Sequence, residues 1–148
     1  MKTVIMCIGN RDGGDDTVGP YIAEKLEKDI NNDLAVINCG TIPENYTSVV
    51  KGHNPSELVI IDAADMGLRS GEIRIVPKEK IGVMHISTHG IPVSVLINYL
   101  EQYVDSIVFI GVQPKNMSGY MSKEVRDSGN LLVELVKKHD FSSIKTLN

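Results

Sequence analysis

Three short apolar runs with no charge inside them set the architecture of this chain. They are Thr3 to Ile8 (TVIMCI), Leu58 to Ile61 (LVII) and Ser106 to Val112 (SIVFIGV). Runs of this length and β-branched content read as strands buried on both faces, which requires helices on both sides of a sheet. Between them lie segments of helical spacing. From Thr17 to Ile30, Val18, Ile22, Leu26 and Ile30 share a face, with Pro20 in the first turn. Glu44 to Val50 reads as a short helix. From Pro92 to Val104, Val93, Leu96, Ile97, Leu100 and Val104 share a face. Ser122 is placed to cap a last helix ending near Lys138, with Glu124 in its first turn.

Two further strands complete the pattern. Leu34 to Ile37 is a short apolar run closed by Cys39-Gly40. Gly71 to Val76 (GEIRIV) alternates polar with apolar, as a half-exposed antiparallel edge strand does. The tail from Asp140 reads as loose. This order predicts an α/β fold, a three-layer α/β/α sandwich around a mostly parallel twisted sheet with one antiparallel edge strand. At 148 residues, one domain spanning 1–148 is expected.

Charge and cysteine usage narrow the function. With 15 basic and 19 acidic residues the net charge is −4, so no basic excess is available to neutralise nucleic-acid phosphates. Cys7 and Cys39 form neither a CxxC pair nor a disulfide framework, which favours a reducing, cytoplasmic setting. The opening MKTVIMCIGNRDGG meets acidic residues too soon for a signal peptide. Ile81 to Leu100 lacks Asp, Glu, Lys and Arg and is as long as a membrane span. Its His85, His89, Gly90, Pro92 and Asn98 would be costly in hydrocarbon, so no span is expected.

In sheets of this kind ligands sit beyond the carboxyl ends of the strands. After the first strand comes Gly9-Asn10-Arg11-Asp12-Gly13-Gly14-Asp15-Asp16-Thr17-Val18-Gly19. It fits neither glycine-rich phosphate motif, and its three carboxylates would repel phosphate. A glycine turn with an acidic first helical turn accounts for it structurally. Asp62 and Asp65 follow the LVII run, either as turn formers or with a carboxylate aimed into the crevice. His89 lies in Ser87-Thr88-His89-Gly90-Ile91-Pro92, as a capping residue or a ligand. His53 and His85 read as structural or solvated.

Asp16, Asp62 and His89 are far apart in sequence, yet each falls in a turn leading to the same rim. Together they are an O,O,N donor set that suits Ni, Zn, Mn or Fe(II) with positions left for substrate. There is neither a G-x-S-x-G elbow nor an HExxH pair. Cys39, just after a strand, would need a His partner to serve as a nucleophile, and none adjoins it in sequence.

These blocks resemble the hydrogenase maturation endopeptidases, most closely the subtype acting on hydrogenase 3-like and coenzyme-F420-type hydrogenases. The resembling segments are Gly9-Asn10 through Gly14-Asp15-Asp16 to Gly19, Cys39-Gly40-Thr41-Ile42-Pro43-Glu44-Asn45 and Ile61-Asp62-Ala63-Ala64-Asp65-Met66-Gly67. Gly71-Glu72-Ile73-Arg74, Ser87 to Pro92 and Phe109-Ile110-Gly111-Val112-Gln113-Pro114 complete them. The first acid is Asp16, where another subtype carries Glu.

The resemblance implies that Asp16, Asp62 and His89 are the metal contacts and the catalytic set. It implies removal of a C-terminal extension from the large-subunit precursor of a nickel–iron hydrogenase, after nickel insertion. Nickel would come with the precursor and act as the recognition element, with no organic cofactor. The expected partner is that precursor, with no nucleic acid and no membrane, and the chain is expected to act as a monomer. Two other classes share the rim: a nickel-sensing chaperone that does not cleave, and another α/β hydrolase such as a peptidyl-tRNA hydrolase-like enzyme. The latter wants a His soon after the opening turn and a basic surface; here that turn is acidic and the nearest His is His53.

Overall fold

The computed structural model describes residues 2–82, 85–86 and 90–148. Its strands are β1 (Thr3–Ile8), β2 (Leu34–Gly40), β3 (Glu57–Asp65), β4 (Ile73–Ile75), β5 (His85–Ile86) and β6 (Ser106–Val112). Its α-helices are α1 (Val18–Lys25), α2 (Thr47–His53), α3 (Lys78–Ile81), α4 (Val93–Leu100) and α5 (Lys123–Lys137). The main sheet runs β2-β1-β3-β6-β4. β1, β2, β3 and β6 are parallel, while β4 pairs antiparallel with β6 at the edge. The three-layer sandwich and its antiparallel edge strand are as the sequence predicts.

Strand alternation divides the core into two layers. Val4, Met6 and Ile8 of β1 and Leu58 and Ile60 of β3 face Val50 of α2, Ile81 of α3 and Leu96 and Leu100 of α4. Ile5, Cys7, Val59 and Ile61 face the other way, against Val18 and Ile22 of α1 and Val125, Leu132 and Val136 of α5. All six β1 residues are buried, which explains its unbroken apolar run. At Gly19 a Cβ would overlap the Ile8 carbonyl, so glycine lets α1 start pressed against the end of β1. Among the described residues no helix is long and apolar enough to cross a membrane.

Several boundaries differ from the sequence reading. α1 stops at Lys25 and a 3-10 turn, Glu27–Asp29, follows. Leu26 is the last buried position; Ile30 is about half exposed and the chain turns there into β2, with Asp33 N–H donating to Asn31 Oδ1 at 2.7 Å. The helix predicted over 92–104 spans only Val93–Leu100, though Val104 is still buried. β3 continues through Asp65 because β6 and β5 supply ladder partners that far. Asp62 therefore lies within a strand, opposite Gly111, rather than in the turn after it.

The tail from Asp140 is not loose. Phe141 and Ile144 pack against the α1/α5 layer and Leu147 against the other. Ile75 N–H donates to the Lys145 carbonyl at 2.9 Å, and Leu147 N–H to the Ile75 carbonyl at 2.8 Å. The tail thus covers the free edge of β4, the usual remedy for unpaired strand groups. Its three apolar residues are too widely spaced to show a period.

Candidate active site

β1 lies between β2 and β3; the chain leaves the carboxyl end of β1 toward β2 and that of β3 toward the β6–β4 side of the sheet. The gap between β1 and β3 is thus the topological switch point, where a crevice opens. Asp16 enters it from the turn after β1, and Asp62 from near the end of β3. Asp16 is 1% exposed and Asp62 is 0% exposed.

The β1–α1 turn is built by its own side chains. Asn10 Oδ1 accepts from Asp12 N–H at 2.9 Å, an Asx turn. Thr17 Oγ1 donates to the carbonyls of Asn10 at 3.2 Å and Arg11 at 2.9 Å. Asp16 sits in the 3-10 turn Gly14–Thr17, and its Oδ2 accepts from Asn10 N–H at 3.0 Å. That bond fixes the carboxylate's orientation.

Asp62 contrasts with it. Neither of its oxygens has a well-formed hydrogen bond among the described residues, though the Ala63 N–H and the Asp16 carboxyl both act on it. Burial pushes its carboxyl well above the usual carboxylate range, and the negative charge of Asp16 adds to the rise, while the Ala63 N–H opposes it. The structure thus brings Asp16 and Asp62 into electrostatic contact. Cys39 is a neighbour as well: burial and then the Asp62 charge push its thiol up to about 12, against a lowering by the Cys7 backbone. Burial also raises Cys7, with a smaller contribution from Cys39. Neither thiol is a thiolate near neutral pH.

His89 lies outside the described residues, as do Ser87 and Thr88. The chain on either side of them is anchored at this rim. Before them, His85 and Ile86 pair with Asp65 and Ala64 at the end of β3. After them, Ile91 N–H donates to Glu44 Oε2 at 3.4 Å. Among the described residues no group of three or more His, Cys, Asp or Glu is placed to hold a metal ion. They contribute two carboxylates to the expected set; the third expected donor is His89. His53 ends α2 at the opposite end of the sheet. A cleft of about 400 Å³ beside β4 and α5, lined by Ile73, Arg74, Ser128 and Ile144, contains none of the candidate residues.

Three residues matter here that the sequence reading gave no role. Asp15, 0% exposed, accepts four hydrogen bonds. They come from Lys115 N–H at 2.7 Å, Asn116 N–H at 3.1 Å, Ser122 N–H at 2.6 Å and Ser122 Oγ at 2.9 Å. It ties the β1 turn to the β6–α5 turn. Gln113 Oε1 accepts from the N–H groups of Met66 at 2.6 Å and Leu68 at 3.2 Å, while its Nε2 donates to Asp65 Oδ1 at 3.1 Å. It pins the loop after β3. Glu44 stands on the 3-10 turn Pro43–Tyr46 after β2, with a buried Oε1 that has no partner among the described residues. The available signal for Asp15 was adjacency: two successive acids cannot both face one crevice. Gln113 and Glu44 carried none, because their partners, mostly backbone groups, are distant in sequence.

Known proteins match this arrangement along most of the chain. The sequence model of the hydrogenase maturation protease family matches residues 20–139. The hydrogenase 3 maturation protease of Escherichia coli K12 is 37% identical over 131 residues, covering 86% of this chain and 84% of that protein. The solution structure of the endopeptidase HycI from Escherichia coli superimposes with a TM-score of 0.90 at 32% identity, covering 100% of this chain and 97% of that one. The crystal structure of the nickel–iron hydrogenase maturation protease HycI from Thermococcus kodakarensis gives 0.82 at 32% identity, covering 93% and 90%. These matches displace both the peptidyl-tRNA hydrolase-like and the non-cleaving readings. With its switch-point carboxylates in place and this agreement over nearly its whole length, the chain belongs to the hydrogenase maturation protease family.

Proposed function

We propose that this protein removes the C-terminal extension of a nickel–iron hydrogenase large-subunit precursor once nickel has been inserted. Nickel, carried by the precursor, is the recognition element, and Asp16, Asp62 and His89 are its contacts on the protease. The observation that carries this reading is Asp62: a fully buried carboxyl beside a second one, neither of its oxygens in a well-formed hydrogen bond among the described residues, with its charged form disfavoured by burial and by Asp16. Two adjacent buried carboxylates disfavour each other's charge unless a cation joins them. A divalent ion arriving with the substrate supplies that charge. An O,O,N set with open positions fits nickel already held by precursor ligands.

Docking the nickel holds the scissile peptide in the crevice. Fixing the reacting groups in this way can contribute on the order of 7–11 kcal/mol in the best intramolecular cases. Hydrolysis adds the water oxygen to the carbonyl carbon and delivers a proton to the leaving amine. Nickel held by Asp16, Asp62 and His89 would supply Lewis-acid activation of the carbonyl or the water, while a carboxylate not fully engaged by it would take the proton. Asp16, oriented by the Asn10 N–H, is held ready for either role. The reading needs no organic cofactor and no nucleic acid, and it places the chain in the cytoplasm as a monomer.

The test is the mass of such a precursor after incubation with this protein, with and without nickel. Loss of a C-terminal peptide only from the nickel-loaded sample is expected. Equal cleavage of both samples would remove nickel from the recognition step. Cleavage of neither would overturn the substrate assignment.

A further inference from the structure

We infer that the outer edge of β2 is a strand-addition site, where the C-terminal extension of the precursor lies extended and antiparallel to β2 while its scissile bond occupies the Asp16–Asp62 crevice. The inference rests on the reading above and deepens it. The fold treats the two edges of the sheet differently. The tail covers β4 through Ile75, Lys145 and Leu147. β2 has β1 on one side and, among the described residues, no strand on the other. Its residues, Leu34–Gly40, include no charge and no proline, the usual guards of an open edge. The register break between Cys7 and Ile8 falls at the rim end, past Asn38.

The ladder fixes which groups the edge offers. Thr3 N–H donates to the Asp33 carbonyl at 2.9 Å, and Thr3, Ile5 and Cys7 stand opposite Leu34, Val36 and Asn38. In a parallel pair with that register, Ala35 and Ile37 bond β1, while Leu34, Val36 and Asn38 turn their N–H and C=O outward. Asn31 takes those of Leu34, at 3.0 and 3.4 Å. Those of Val36 and Asn38 have no taker among the described residues. A groove of about 210 Å³ lies beside them, where Ala23 and Ile30 join Val36 and Asn38 in its lining. Strand addition needs this pairing of main-chain partners for affinity with a recess for alternate side chains. Direction and reach also suit the crevice. β2 runs toward the rim, so a peptide that leaves the scissile bond and follows this edge is antiparallel to it. An added strand lies about 12 Å from the β1–β3 gap at ordinary strand spacing, a span of about four extended residues.

The test follows kcat and KM on the nickel-loaded precursor, with thermal melting as the check on folding. Val36→Pro removes an outward N–H that β1 does not use, at an edge position where proline is tolerated. It should raise KM by about 3–10-fold and change kcat less. A precursor shortened to about four residues beyond the scissile bond cannot reach β2. It should have a KM at least as high, and should no longer distinguish Val36→Pro from the wild type. An unchanged KM with either would overturn the inference and leave the functional reading standing. A synthetic peptide of the released sequence should slow amide exchange at Val36 and Asn38 of the wild type. If Val36→Pro does not fold, that exchange decides: slowing supports strand addition and unchanged rates overturn it. A concentration-dependent dimer that Val36→Pro abolishes, with KM unchanged, would give the edge to a second copy of this chain and overturn the inference. Failure of the wild type to cleave the full precursor would overturn the functional reading, and the inference with it.

Discussion

Asp15 and Asp62 are both fully buried at the carboxyl end of the sheet, and the fold treats them in opposite ways. Asp15 accepts three backbone N–H groups and one hydroxyl, all from the β6–α5 turn and the start of α5. Asp62 has no well-formed hydrogen bond among the described residues; the Ala63 N–H favours its charge weakly, and burial and Asp16 oppose it. One carboxylate is solvated by protein; the other is buried without comparable donors among the described residues. Residue type and burial do not separate them. The supply of donors does: Asp15 is committed to the fold, and on the proposed reading Asp62 is the one available for chemistry.

The largest expected effect breaks the open side of this comparison. Asp62→Asn and Asp16→Asn should each lower precursor processing by at least about 100-fold, since even outer-shell partners of a metal site are worth 10–100-fold. Both variants should still fold, as seen in their melting curves. Wild-type processing by either would remove that residue from the site. Next in size is the closed side. Asp15→Ala strands three backbone donors and a hydroxyl, and should cost about 3–5 kcal/mol of stability, read as a lower denaturant midpoint. A change below about 1 kcal/mol would mean that water replaces the carboxylate, and that Asp15 is no more committed to the fold than Asp62.

The same contrast explains what the sequence could and could not disclose. β1 and β6 are legible to the residue, because each buries an unbroken apolar run against helices. So is α5, where the Ser122 hydroxyl accepts from Val125 N–H. The end of β3 was not, because its extension past Ile61 depends on ladder partners in β5 and β6. Asp16 and Asp62 could be picked out because the carboxyl ends of neighbouring parallel strands converge on one rim, although Asp62 proved to lie within β3 rather than in the turn after it. Asp15, beyond its adjacency to Asp16, and Gln113 and Glu44 could not, because most of their partners are backbone amides distant in sequence, and an amide leaves no trace in residue identity. The tail failed for the opposite reason: Phe141, Ile144 and Leu147 are visibly apolar, but the strand edge that takes them exists only in three dimensions.

A smaller, signed effect concerns pH. The Asp62 carboxyl is raised well above its usual value of 3.8, chiefly by burial. As pH climbs past that value the unfolded chain releases this proton while the folded chain keeps it. Folded protein then binds more protons than unfolded, so stability falls as pH rises, until the folded group itself ionises. Below about pH 4 both states hold the proton and the penalty vanishes. Asp62→Asn lacks this dependence. Melting temperatures of the two proteins from pH 4 to pH 8 should therefore diverge, with the wild type losing ground to the variant. Parallel curves would show that Asp62 is solvated in the folded state, and would erase its difference from Asp15.

The smallest effect tests whether Cys39 belongs to the open side of the rim. Its thiol stands near 12, raised first by burial and then by the Asp62 charge. At pH 8 that leaves about one molecule in ten thousand as thiolate, and alkylation should run about a thousandfold slower than for a free cysteine. Cys39→Ala should then process precursor at close to the wild-type rate, since a thiol held protonated is a poor nucleophile. Asp62→Asn removes the second of the two raising influences, so it should quicken alkylation of Cys39 while burial keeps it slow. No quickening would mean that the two side chains do not share one electrostatic environment. Rapid alkylation of the wild type, with loss of processing, would move the nucleophile from the proposed Asp16–Asp62 site to this cysteine.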